Sequence, residues 1–428
     1  MQPDDESPPS WSLATRIAFR FCVVYFGLFC LTFAQITFAY AGVVARLLPD
    51  GAVIWQMVAL EPVTRWFGRT ALGVDAVLTP GSGSGDQAAI WVYVAFLVAV
   101  SVLVTVVWSV LDRRRRCHPR LAAWFAVFLR LCLGGQMLFY GFAKVIPTQM
   151  PSPALSALIE PFGNLSPMAV LWLQVGTSHP YEIALGAVEV LAGVLLFVPR
   201  TATLGALVSL AATAQIFLLN MTYGVPVKIL SFHLLLVSAL LVAPKARRVV
   251  DALVLGRGVG PEVRPPLFGS PRGNRLATVA QVLLGVWVVV GCLVLSLQSW
   301  RDFGDGRPKP DLYGIWRVTG FSVDGTPRPP LLDDEVRWQR LVFDRPGVVT
   351  YQSMNGDLVD VPADTTAGTL TLPDDGGSFA VDRSGDRLRL TGRWRDEPVT
   401  ITLERQPLED FTLRSRGFHW VQEAPFFG

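Results

Sequence analysis

Charge is scarce in this chain of 428 residues. Asp, Glu, Lys and Arg make up 17% of it, against about 25% in a typical soluble domain. Lysine is scarcer still: Lys144, Lys228, Lys245 and Lys309 are the only four among 37 basic residues. The five cysteines, Cys22, Cys30, Cys117, Cys132 and Cys292, contain no C-x-x-C pair. That spacing argues against a disulfide scaffold, a zinc ribbon and a dithiol redox centre. No P-loop, G-x-G-x-x-G or Ser-His-Asp set is evident. Gly81-Ser-Gly-Ser-Gly85 reads as a flexible turn, because it lacks the lysine and the strand-to-helix setting of a phosphate site.

Apolar residues are abundant. They make up 51% of the chain, and the mean hydropathy is +0.42. This excludes disorder, collagen and coiled coil, and a polytopic membrane protein is expected. The net charge of +3 conceals a split. Residues 311–428 carry 13 basic and 19 acidic side chains, so the first 310 are basic and apolar while the remainder is acidic. The basic residues stand at the ends of apolar runs, where membrane topology accounts for them and nucleic acid is not implied.

A bilayer core about 30 Å thick needs about 20 apolar residues of helix. Seven segments qualify: 17–44, 88–111, 121–144, 181–199, 202–221, 225–243 and 276–299. The first is longer than the apolar region of a signal peptide, and the leader Met1–Ser10 is acidic and proline-rich, so a retained span is expected. Arg16, Arg20, Arg113–Arg116, Arg120, Arg200, Lys245, Arg247, Arg248, Arg272 and Arg275 all fall on one side if the N-terminus is cytoplasmic. The positive-inside rule then places the C-terminal part outside a cell membrane. Two outer loops, 45–87 and 145–180, contain helical apolar spacing. They suit either the membrane interface or ordinary surface packing.

Ionisable groups in hydrocarbon are costly and mark function or pairing. Arg130, Lys144, Glu182, Glu189, Lys228 and His233 all lie between 121 and 243, so polar chemistry is expected in that four-helix unit, with the other spans as lipid-facing additions. Counting 1.5 Å per residue from the span ends places Arg130 and Glu189 at similar depth, where a mutual ion pair is expected. Lys144, Glu182 and Lys228 fall near the outer mouth, where they either snorkel to water or line a cavity. In a functional cavity Glu189 and His233 would be the catalytic proton carriers, and Arg130, Lys144, Glu182 and Lys228 would bind the ligand. A satisfied core histidine is the plainer reading of His233. It has no companion ligands, and no metal is expected.

Arg130, the Gly141-Phe-Ala-Lys144 run, Glu182, Glu189-Val-Leu-Ala-Gly193, Pro199-Arg200-Thr201, Asn220 and Lys228 together resemble the DoxX family of four-span membrane proteins. The resemblance covers about 125 residues. It implies a redox-associated subunit that binds a quinone or similar apolar molecule, without a covalent cofactor and with a redox partner protein. The thiol chemistry of some relatives lacks an outward-facing cysteine pair here.

Beyond a Gly- and Pro-rich linker at 300–310, the period becomes two. Seven or eight short strands with hairpin turns predict an antiparallel barrel or sandwich. Gly314-Ile-Trp316 resembles the G-x-W of lipocalin-type barrels, in which an arginine covers the Trp; Arg405, Arg414 and Arg416 are candidates. A barrel this small is either filled or able to hold one apolar ligand.

The expected fold class is therefore a membrane all-α bundle of about seven spans with a C-terminal antiparallel β-barrel or sandwich. The expected divisions are a disordered cytoplasmic leader (1–16), a two-span region (17–120), a DoxX-like core (121–245), an inner loop with the last span (246–299), the linker (300–310) and the β-domain (311–428). Two rivals to the quinone-linked reading are presentation of an apolar ligand by the β-domain, and transport of a small solute or proton. Membrane lipids are expected partners; nucleic acid is not. On the predicted topology, a reporter active only in the cytoplasm stays silent when fused after Gly428 and is active at Arg116. Equal activity at both sites overturns the orientation.

Overall fold

The computed structural model describes residues 11–260, 265–366, 368–373 and 376–427, so the leader Met1–Ser10 lies outside the described residues. Two compact units emerge. One comprises 1–149 with 180–299, and the other 150–179 with 300–428. The loop 150–179, expected within the membrane core region, therefore folds with the C-terminal residues.

The helices are α1 (Leu13–Thr32), α2 (Ala34–Phe38), α3 (Trp55–Phe67), α4 (Ala88–Leu111), α5 (Pro119–Val145), α6 (Pro167–Gly176), α7 (His179–Phe197), α8 (Ala202–Thr222), α9 (Lys228–Val242), α10 (Ala246–Leu253) and α11 (Pro271–Asp302). Among the described residues, seven helices are long and apolar enough to cross a membrane: α1, α4, α5, α7, α8, α11 and the run Lys228–Leu253. The protein has a multi-pass helical membrane bundle and, later in the sequence, a β-barrel. Its outward faces stay apolar, with Leu103, Val106 and Leu111 exposed on α4.

The first span ends earlier than expected. Twenty residues of α1 already cover about 30 Å at 1.5 Å each. Phe33 then leaves the helix with ψ 95°. The remainder of the apolar run becomes α2 and a 3₁₀ turn over Ala39–Leu47. Gly42, at φ 56°, lets this segment meet α11, where a Cβ on Gly291 would stand 2.3 Å from Gly42 Cα. Trp287 Nε1 donates to Tyr40 O at 3.0 Å beside it. The last span is thus packed into the bundle and is more than a lipid-facing addition.

On the arginine-rich side, Arg20 is 1% exposed and donates to Asp112 O at 2.9 Å and Asp112 Oδ2 at 3.3 Å. His118 Nε2 stands 3.2 Å from the same carboxylate oxygen. Burial holds the His118 ring below its ordinary pKa. A residue that reads in sequence as a topology marker is therefore a buried tie between α1 and the α4–α5 connection.

In the second unit ten strands form one antiparallel sheet: β1 (Gly314–Val323), β2 (Thr326–Pro327), β3 (Trp338–Arg345), β4 (Val348–Ser353), β5 (Leu358–Pro362), β6 (Asp364–Thr366), β7 (Thr369–Leu372), β8 (Gly377–Ser384), β9 (Arg387–Trp394) and β10 (Glu397–Gln406). The order β5-β4-β3-β1-β10-β9-β8-β7-β6 brings β1 against β10, with β2 on β1. The ends of that path, β5 and β6, follow each other in sequence, so the sheet is a nearly closed barrel. The strands that sequence periodicity misses are β2, β5 and β6, which are short and carry Pro or Asp; β2 and β6 are also exposed.

The barrel interior is filled. Trp316, Trp338, Trp394, Phe379, Leu390 and Ile401 are each 1% exposed or less. Trp338 and Trp394 meet edge to face at 4.9 Å. An interior of this kind is a core, and it does not support the ligand-chamber reading. Gly314 adopts φ 145°, and a Cβ there would stand 3.1 Å from Arg405 Nε, which accounts for the glycine of G-x-W. Arg383, not one of the expected candidates, lies over the Trp316 ring at 5.7 Å; of those candidates Arg405 borders Gly314 and donates to Tyr313 O at 3.3 Å, while Arg416 lies over Phe426. Outside the barrel, Leu155 from the 150–179 loop covers Ile315 and Val342, so this loop is surface packing on the β-barrel.

Trp338→Ala removes about 3–5 kcal/mol of packing and transfer energy. It should lower the midpoint of the strand circular-dichroism transition, while Trp420→Ala, at a side chain 90% exposed, leaves it unchanged.

Candidate functional site

Glycines bring α5 and α7 together. Gly134 and Gly141 on α5, and Gly186 and Gly193 on α7, are each seven residues apart, close to two turns, and so share one face. A Cβ on Gly186 would stand 2.6 Å from Gly141 O, and one on Gly193 2.7 Å from Leu138 Cγ. Small residues allow such backbone approach in membrane bundles. The order is antiparallel: Gly134 faces Leu196 and Phe197, Gly141 faces Glu189 and Val190, and Gly186 faces Lys144 and Val145.

This register sets the ion pair. Lys144 Nζ lies 2.8 Å from Glu189 Oε1 and 3.0 Å from Oε2, and both side chains are buried. Nearby, Gln35 Nε2 donates to the Tyr140 hydroxyl at 2.5 Å and Gln136 Nε2 to Gln35 O at 3.0 Å. The expected Arg130–Glu189 pair does not form. Arg130 is eleven residues before Gly141, about 16 Å along the axis, and donates to Gln281 Oε1 on α11. The depth count fails because the α5–α7 register sets Arg130 level with the end of α7, one turn beyond the Gly134–Phe197 contact.

The other candidates have separate settings. Asp86 reaches Lys228 Nζ at 3.3 Å and accepts from the backbone N–H groups of Lys228 and Ile229 at 2.9 Å each. Lys228 is therefore tied to the cap of its own helix. Glu182 is fully buried on the Glu189 face, seven residues and about 10 Å further along α7. His233 Nδ1–H donates to Ile229 O at 2.6 Å, which leaves Nε2 to accept from the Tyr25 hydroxyl at 2.7 Å. Phe29 stacks on the imidazole at 3.8 Å. Lys144 and Glu189 thus form one pair, with Glu182 on the same face of α7, while Arg130, Lys228 and His233 meet Gln281, Asp86 and Tyr25.

Sequence reasoning missed Asp86, Tyr25 and Gln281 as partners. Asp86 had a signal, since it is the acid that ends the Gly/Ser turn; Gln281 and Tyr25 are isolated polar groups in apolar runs. Beside Tyr25, Phe21, Phe26, Val98, Leu236 and Leu240 line a wholly apolar groove of about 430 Å³ between α1, α4 and α9. Among the described residues no group of three or more His, Cys, Asp or Glu is gathered for a metal.

In the second unit Ser152 Oγ donates to Asp305 Oδ2 at 2.9 Å. His179 Nε2 lies 3.1 Å from both Ser152 Oγ and Asp305 Oδ2. One ring nitrogen faces both partners, so the carboxylate does not orient the ring from its far side as a Ser-His-Asp relay requires. The cluster fastens the 150–179 loop to the residues before the barrel.

The chain is 33% identical over 137 residues to the uncharacterized protein YwoB of Bacillus subtilis (strain 168), an alignment covering 30% of this chain and 79% of that protein. No family model matches the chain, and no solved structure matches it.

Removing one member of a buried pair leaves an uncompensated charge and costs about 3–5 kcal/mol. Lys144→Met and Glu189→Gln should each lower the thermal midpoint of the detergent-purified protein, and the double variant should be milder than the sum. Arg130→Met with Glu189→Gln should be additive. Additivity in the first pair removes the coupling.

Proposed function

This chain belongs to the same family as the uncharacterized protein YwoB, and from that premise we propose that it is a quinone-site membrane subunit. Its arginine-rich connections face the cytoplasm and its barrel lies outside. The ligand is an apolar, carbonyl-bearing ring seated in the groove between α1, α4 and α9. The DoxX-like pattern of Arg130, Lys144, Glu182 and Glu189 supports the same reading, with electrons supplied by a redox partner protein.

The observation that carries the proposal is Tyr25. Its ring forms part of the groove wall while its hydroxyl bonds His233. With Nε2 unprotonated, the Tyr25 O–H points at the imidazole. A proton on Nε2 reverses that bond: Nε2–H donates to the Tyr25 oxygen, and the O–H turns to a ligand carbonyl. The pair can thus hand one proton towards the groove, a role the expectation assigned to Glu189 and His233 together. Glu189, bound to Lys144, clamps the helices instead.

Solvent extracts of the purified protein should contain a quinone by mass spectrometry, and a short-chain quinone should compete for its place. Tyr25→Phe removes one hydrogen bond worth about 1 kcal/mol and weakens binding about fivefold. Leu236→Trp, which fills the groove, abolishes it. Quinone binding indifferent to Leu236→Trp removes the groove from the proposal.

A further inference from the structure

We propose that the outer face of the barrel across β3, β1, β10 and β9 docks an acidic polypeptide segment of a partner protein. This inference is independent of the quinone reading. The strand register sets Arg340 beside Arg317, Arg317 beside Glu404, and Glu404 beside Arg387. Their chain neighbours Leu341, Trp316, Leu403 and Leu388 fill the core, so this row points outward. Arg389, one outward position further along β9, stands beside Thr402. The face thus carries four arginines. Its acids are Glu404 and Asp382, the latter the strand neighbour of Arg389. Residues 311–428 as a whole have 13 basic and 19 acidic side chains, so this face runs against the charge of its domain.

Two cation pairs are presented. Like charges directly opposite each other destabilise a sheet, with Cβ atoms about 5 Å apart, yet Arg340 and Arg317 are so placed. Arg340 Nη1 donates to Gln352 Oε1 at 2.6 Å, and its buried Nε has no partner among the described residues. Burial, and after it the Arg317 charge, hold the Arg340 guanidinium below its ordinary pKa. Arg317 and Arg389 are exposed, and neither makes a side-chain hydrogen bond or ion pair among the described residues. Arg387 meets Glu404 at 3.6 Å, with the side chains 77% and 42% exposed. One carboxylate can bridge Arg317 and Arg340 and relieve their repulsion, since guanidinium groups suit carboxylate oxygens. The second pair, Arg387 with Arg389, begins two strands away, about 10 Å. Carboxylates seven residues apart on a helix stand at about that distance. A single phosphate reaches one pair and leaves the other bare. A bilayer surface favours aromatic and aliphatic side chains among the cations, whereas the outward positions here are Thr391, Thr400 and Thr402.

The test is phenylglyoxal modification of the full-length protein in phosphatidylcholine nanodiscs, read at each arginine by peptide mass spectrometry. The probes are short poly-L-glutamate, inorganic phosphate and phosphatidylglycerol vesicles. Poly-L-glutamate should protect Arg317, Arg387 and Arg389 at one common concentration and leave the exposed Arg395 reactive. Raising the salt from about 0.15 M to about 1 M shortens the screening length from about 8 Å to about 3 Å and should remove the protection. Arg317→Gln deletes one exposed ion pair with the probe and should raise the half-protection concentration at Arg389 about fivefold. Reading single residues keeps the arginine-rich connections of the membrane bundle out of the measurement. The same variant removes a like-charge contact, so the midpoint of the strand circular-dichroism transition should not fall. Arg389→Gln, read at Arg317, should give the reciprocal shift and covers the case in which Arg317→Gln does not fold. Protection at each arginine that is indifferent to loss of the other overturns the proposal. So does equal protection by inorganic phosphate, which would mark a plain anion site, or stronger protection by the vesicles, which would mark a lipid surface.

Discussion

Lys144 and Glu189 can remain buried among apolar helices only while α5 and α7 stay at glycine distance. Separated by a few ångströms, each would become an unpaired charge in a medium that solvates neither. The glycines at 134, 141, 186 and 193 hold that distance, and their two-turn repeat fixes the register of the helix pair. The same register carries Arg130 to the far end of the pair, where Gln281 on α11 meets it. One helix contact therefore decides the partners of two cations that sequence depth alone assigns wrongly.

The remaining polar groups follow the same constraint through different elements. Lys228 is met by Asp86 from the turn before α4, His233 by Tyr25 of α1, and Arg20 by Asp112 at the end of α4. Each partner belongs to a span or connection outside 121–243. The outer spans complete the polar chemistry of the core, and this binds the bundle more tightly than apolar contact between helices would. Lipid tails are as apolar as leucine, so hydrogen-bonded side chains add a specificity that hydrophobic burial does not provide in a bilayer.

The barrel solves a different problem, since its solvent is water and burial of apolar surface is available. Three tryptophans fill its interior, and its outer face is covered at Ile315 and Val342 by the 150–179 loop. Asp344 ties that loop further: it accepts from the Leu155 N–H at 3.3 Å and from Arg307 at 2.9 Å. A connection between two membrane helices has thereby become part of the C-terminal domain.

Span number, the change from a 3.6-residue to a two-residue period near residue 311, and the G-x-W strand were legible because they depend on local order: length against bilayer thickness, and side-chain alternation along one strand. Arg130, Lys144, Glu182, Glu189, Lys228 and His233 were legible as exceptional for a similar reason, since an ionisable group within or bordering an apolar run stands out by itself. Their partners were not. Asp86 lies 142 positions from Lys228, Tyr25 208 from His233 and Gln281 151 from Arg130. No local pattern records how far one helix slides along another, nor that Gly42 and Gly291 let α11 close on the segment after α1. Sequence determined which groups had to be neutralised, through the cost of charge in hydrocarbon. Tertiary structure decided by which partner, because hydrogen-bond reach is about 3 Å and a one-turn shift of a helix moves a side chain 5.4 Å.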